Sequence, residues 1–82
     1  MYDIEFSQNA EKQFFKLNRK IQERIVSVLE RIRVRPFPHV KKLIGCPYFR
    51  LRAGDYRIIM DIIEGKMVII VLEVGHRKNI YK

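Results

Sequence analysis

One cysteine, Cys46, is all the thiol this chain carries, which excludes an internal disulfide and points to a reducing compartment. With no CxxC neighbour and no nearby histidine, Cys46 reads as structural, and no metal or other cofactor is expected. No apolar run approaches the ~18 residues of a membrane span, and no apolar segment leads to a signal cleavage site. The expectation is a soluble, unprocessed, cytoplasmic protein. A Ser/His/Asp set and a glycine-rich phosphate loop are both missing, so neither triad hydrolysis nor nucleotide cradling is indicated. Repeats, linkers and low-complexity segments are absent as well. Acids are scarce, with nine Asp+Glu against 17 Lys+Arg and a formal net charge of +8.

The remaining material is enough for one domain. Eighty-two residues bury only a modest core, yet a 48% hydrophobic content belongs to a folded chain, not a disordered basic tail. The charge is unevenly spread. Residues 1–18 carry three acids and two bases, residues 19–57 carry three acids and eleven bases, and residues 58–82 carry three acids and four bases. The excess therefore falls on one central stretch, as expected of a polyanion binder or of a surface covered by an acidic partner.

Alternation of Ile4 and Phe6 with Asp3 and Glu5 predicts a first strand over residues 2–6. Ser7 is a good N-cap for a helix over 8–17, with Ala10, Phe14 and Leu17 on one face. Asn18 can cap a second helix over 19–34, whose stripe Ile21, Ile25, Val28 and Ile32 reads as core. So short a connection makes the pair an antiparallel hairpin. Pro36 stops the second helix, and residues 36–44 read as an ordered loop punctuated by Gly45-Cys46-Pro47. Three strands follow, over 48–53, 56–63 and 67–74, with turns at Gly54-Asp55 and Glu64-Gly65. The last is nearly continuous in apolar residues, as in a central strand buried on both faces. The predicted fold is α+β in the order β-α-α-β-β-β, a helical hairpin on one face of a mostly antiparallel four-stranded sheet.

The pleat then decides where the arginines point. A two-residue turn at Gly54-Asp55 pairs Ala53 with Tyr56, Arg52 with Arg57, and Leu51 with Ile58. Directly opposed side chains share a face. Arg50, Arg52 and Arg57 then project to one side, while Phe49, Leu51, Ala53, Tyr56, Ile58, Met60 and Ile62 form an apolar face for the helices. Like charges opposed across strands are destabilising, and bound phosphate would compensate through planar guanidinium contacts. The last strand, antiparallel to its neighbour, brings Val74 level with Asp55. That delivers Gly75-His76-Arg77 beside the cluster, with Tyr81 able to fold back.

These residues carry a resemblance. The hairpin RLRAGDYRIIMDI and the ending VGHRKNIY, in this order of elements, make residues 1–82 resemble a single toxin domain of the RelE/ParE superfamily of toxin–antitoxin pairs, in its RelE branch. The resemblance implies a ribosome-dependent, metal-independent endoribonuclease that cuts mRNA in the decoding site. In such a reaction the ribose 2′-OH attacks the adjacent phosphate, and translation stops. By motif, Arg57 matches an arginine that stabilises the transition state, and Arg77 a second arginine at the phosphate or leaving oxygen. Tyr81 matches a tyrosine that stacks on or orients the nucleotide. Arg50 and Arg52 fall on the strand that carries the family's basic side chains, often lysine there. Arginine is effectively always protonated, so proton transfer falls to His76, to Tyr81 or to neither. Backbone contacts further out are expected from Lys41, Lys42, Arg31, Arg35 and Lys78. The implied partner is an acidic antitoxin of the RelB type. Two other readings stay open: the resemblance also allows a ParE-like inhibitor of DNA gyrase, and the basic charge allows an RNA-binding module that cleaves nothing.

Overall fold

The structure, a computed structural model, describes residues 1–76. The element order is β1 (Asp3–Phe6), α1 (Gln8–Phe15), α2 (Arg19–Ile32), a 3-10 turn (Phe37–His39), β2 (Lys41–Lys42), β3 (Phe49–Ala53), β4 (Tyr56–Ile63), a second 3-10 turn (Glu64–Lys66) and β5 (Val68–His76). The helices are capped as their flanking residues dictate. Ser7 Oγ accepts from the Ala10 N–H at 3.1 Å, and Asn18 Oδ1 accepts from the Ile21 N–H at 3.0 Å, each relieving one of the donors that a helix start leaves unmet. The Gln22 side chain closes the helical hairpin by donating to the carbonyls of Phe14 and Leu17.

The five strands form one sheet in the order β1-β5-β4-β3-β2, with β1 parallel to β5 and every other pair antiparallel. This corrects the four-stranded expectation. Lys41 and Lys42, read from sequence as loop, add a fifth strand at the edge beside β3, where two residues are too few to show an alternation. Both helices lie on one face. Ile25, Leu29 and Ile32 from α2 and Ala10 from α1 meet Leu51, Ala53, Ile58, Met60, Ile62, Ile69, Val71 and Val74 from the sheet, all buried. Burying such side chains contributes roughly 1.5–3 kcal/mol each and dominates what holds so small a domain together.

The register of β5 differs from the sequence expectation. Val74 lies opposite Ile58, and the strand continues until His76 faces Tyr56. Two features lengthen the path. The connection from β4 is a 3-10 turn ending at Met67 in the left-handed region (φ 53°, ψ 50°), not a two-residue turn. Beyond it a β-bulge sets in, with Met60 paired to Val71 but Ile59 to Glu73, so that Leu72 is the extra residue. The bulge shifts the inward positions from Ile69 and Val71 to Val74 and turns Glu73 outward. Its freed backbone groups are met by α1 and its cap: Ser7 Oγ donates to the Leu72 carbonyl at 3.2 Å, and Gln13 Oε1 accepts from the Val74 N–H at 2.7 Å. Nor is β5 buried on both faces, since Val68 and Ile70 on the side away from the helices are only half-buried.

Candidate phosphate-handling face

The β3–β4 hairpin has the register its sequence dictates: Ala53 pairs with Tyr56, Arg52 with Arg57 and Leu51 with Ile58. Gly54, at φ +63°, supplies the left-handed residue that starts so tight a turn. It also leaves room above the backbone, because a Cβ there would stand 2.6 Å from Nη1 of Arg24, which reaches over the turn from α2.

Alternation along the hairpin sorts its side chains by chemistry. Leu51, Ala53, Ile58 and Met60 enter the core, and Arg50, Arg52 and Arg57 share the opposite face. The edge strand adds a fourth cation, since Lys41 pairs with Arg50 and so shares its face. Two opposed cationic pairs, Lys41–Arg50 and Arg52–Arg57, thus sit side by side across three strands. Their floor includes Ile59, 5% exposed although it points away from the helices. Arg57 and Arg50 are half-buried, Arg52 and Lys41 exposed, and the Nε of Arg57 is fully buried. A guanidinium held partly out of water carries a stronger field than one on a mobile, solvated stem.

A cavity of about 180 Å³ opens on this face, lined by His39, Lys41, Arg50 and Arg52. It adjoins a larger one of about 530 Å³, lined by Lys41, Lys42, Leu43, Ile44, Cys46 and Arg50. Lys41 and Arg50 form the wall between them. Ile44 stands fully exposed at the tip of the β2–β3 connection.

Other candidate residues are placed elsewhere. His76 pairs with Tyr56, on the helix side of the sheet, and the two rings meet edge to face at 5.5 Å and 80°. It is Gly75 that faces Arg57. Lys42 pairs with Phe49 and so belongs to the helix side of the sheet edge. Arg31 and Arg35 are exposed on and after α2, in the layer behind the sheet. Arg77, Lys78 and Tyr81 lie outside the described residues. His39 was not singled out from sequence. The signal was the alternation His39-Val40-Lys41, which sets histidine and lysine on one side once β2 is recognised as a strand. Among the described residues, no group of three or more His, Cys, Asp or Glu is arranged to hold a metal, and no helix is long and apolar enough to cross a membrane.

The chain is a helical hairpin packed on one face of a five-stranded mixed sheet whose other face carries the arginines, and the known proteins it is similar to belong to one class, the toxins of toxin–antitoxin pairs. The family model described as ParE toxin of type II toxin-antitoxin system, parDE, matches residues 4–81, and the chain belongs to that family. The mRNA interferase toxin RelE of Escherichia coli is 30% identical over 81 residues, covering 95% of this chain and 85% of that protein. Among solved structures, the toxin–antitoxin complex RelBE2 from Mycobacterium tuberculosis contains a chain that superposes with a TM-score of 0.86 at 25% identity. That match covers 93% of this chain and 98% of the other. A chain of the intact E. coli RelBE toxin–antitoxin complex gives a TM-score of 0.79 at 28% identity, covering 93% and 96%.

Proposed function

We propose that this protein is the toxin of a toxin–antitoxin pair and a metal-independent endoribonuclease, cleaving mRNA in the decoding site of the ribosome. The observation that carries this reading is the pair of opposed cations, Arg52–Arg57 beside Lys41–Arg50, on the sheet face away from the helices. Directly opposed like charges weaken a sheet modestly, and a phosphodiester in RNA is an anion of the right shape for several guanidinium groups. The name of the E. coli relative, an mRNA interferase, supports RNA as the substrate.

In this reading the reaction is an in-line attack of the ribose 2′-OH on the neighbouring phosphorus, with departure of the 5′-oxygen. Negative charge grows on the non-bridging oxygens as the transition state forms. Arg57, half-buried and fixed by its strand, stabilises that charge, and Arg50 and Arg52 orient the phosphate. Arg77 and Tyr81 complete the set, one at the phosphate or leaving oxygen, the other stacked on a base for ~1–3 kcal/mol. Lys41, Lys42, Arg31, Arg35 and Lys78 hold more distant phosphates without reading sequence. The antitoxin is an acidic protein of the RelB type. It silences the toxin by covering the cationic face or displacing the segment that follows β5. That solved relatives occur as RelBE complexes supports such a partner.

Primer-extension mapping of mRNA in a translating reaction tests the reading. Wild-type protein should create new ends in the decoding site, with EDTA-treated protein equally active on pre-assembled ribosomes. An absence of new ends in a competent system would favour inhibition of DNA gyrase, the alternative that the match to a ParE family model supports.

A further inference from the structure

We propose that His39 is a further catalytic residue of the cationic face, the group that takes the proton from the attacking 2′-OH. This rests on the nuclease reading above, and it assigns the base among the described residues. The three other lining residues of the 180 Å³ cavity are Lys41, Arg50 and Arg52. Guanidinium groups do not release protons near neutral pH, and an ordinary lysine is protonated there. No carboxylate lines the cavity among the described residues. An imidazole, with an ordinary pKa of ~6.5, is the side chain suited to accept a proton at that pH.

The local sequence fixes where His39 stands. Pro36 and Pro38 restrict the backbone on either side of Phe37, and the His39 N–H closes the turn on the Pro36 carbonyl at 3.0 Å. Phe37 packs edge to face on Phe49 of β3 at 5.6 Å and 72°, tying the turn to the sheet. The chain then enters β2, and Lys41 meets Arg50 in register. His39 is therefore held on a stiff turn, two residues before a cation of the site. The adjoining 530 Å³ cavity, with Leu43, Ile44 and Cys46 on its wall, shares Lys41 and Arg50 with the first. A phosphate over His39 thus has room for its nucleoside against an apolar surface.

The step balances without a co-reactant. An imidazole nitrogen accepts the 2′-OH proton as the O2′–P bond forms and the P–O5′ bond breaks. The departing 5′-oxygen is protonated from solvent, the imidazolium returns its proton to solvent, and the products are a 2′,3′-cyclic phosphate and a free 5′-OH. The charged groups that face His39 are Lys41 from β2 and Arg50 and Arg52 from β3.

The test is single-turnover cleavage of mRNA on programmed ribosomes at saturating toxin, with wild type, His39→Ala and His39→Asn compared across the ordinary imidazole range around pH ~6.5. His39 is exposed, and matched thermal melts would show that the variants fold. Both variants should lose ~10²–10⁴-fold in rate, with ribosome affinity unchanged. The wild-type rate should rise with pH through that range, the variants' residual rates should not, and added imidazole should restore part of the His39→Ala rate. A variant as fast as wild type, or slowed with the same pH dependence, would overturn the role of His39 and leave the nuclease reading standing. A wild-type protein that cuts nothing would overturn both.

Discussion

At the scale of single residues, the proposed reading makes the cationic face a case of function held against stability. Arg52 and Arg57 face each other directly across β3 and β4, and like charges so placed weaken a sheet by a few tenths of a kcal/mol to about 1 kcal/mol. Replacing the exposed member, Arg52→Thr, should raise Tm by a few degrees, about 2–5 °C for a domain of this size, while slowing RNA cleavage. Calorimetry and a cleavage assay on the same sample check both halves, and the Tm gain should shrink as salt is added. This face was legible in the sequence because two local rules sufficed: a Gly54 turn that sets register, and alternation that sets sides. His39 was not legible by those rules. Its place depends on Lys41 pairing with Arg50, a contact between segments that no local pattern announces.

At the scale of elements, the register of β5 is set by tertiary hydrogen bonds more than by its own sequence. The run Val68–His76 is apolar enough to serve in several registers. The Leu72 bulge selects one of them, and α1 stabilises it through Ser7 and Gln13. Gln13→Ala would leave the Val74 N–H, on a 2% exposed residue, without its acceptor. The expected cost is about 1–3 kcal/mol, measurable as a shift in denaturant midpoint with little change in m-value. Gly54→Ala, at φ +63° under the Arg24 guanidinium, should cost on the order of 1 kcal/mol through the left-handed conformation alone, since the Arg24 side-chain end can yield. Such a bulge escapes a reading of strands one at a time. Its compensating partners sit some sixty residues earlier in the chain; the sequence expectation placed Gly75-His76-Arg77 beside the arginine cluster, and in the structure Gly75 faces Arg57 while His76 turns toward Tyr56.

At the scale of the whole molecule, layer and charge divide the labour. The helical layer and inner sheet face form a core nearly free of polar side chains, with no buried polar or charged residue among those described. In the proposed reading the outer face is left for chemistry. The helix–sheet order, the two caps and the identity of the inner face were all readable from periodicity. The parallel pairing of β1 with β5 and the extra edge strand β2 were not, because both are long-range pairings of short segments. With a net charge of +8, binding to ribosomes or RNA should weaken steeply with salt, each phosphate contact adding ~0.7–0.9 to the log–log slope. An acidic antitoxin should likewise associate fast at low salt and abolish cleavage at stoichiometric addition.

In the proposed reading the outer face of the β3–β4 hairpin does the chemistry, with Arg57 at its centre. The direct measurement is the single-turnover cleavage rate on programmed ribosomes for Arg57→Ala against wild type, at saturating toxin and with folding checked by thermal melts. Loss of a fixed donor to the transition state predicts a fall of ~10²–10³ in the plateau rate, with ribosome binding little changed. A plateau rate indistinguishable from wild type would contradict the account and reduce the arginine face to a binding surface.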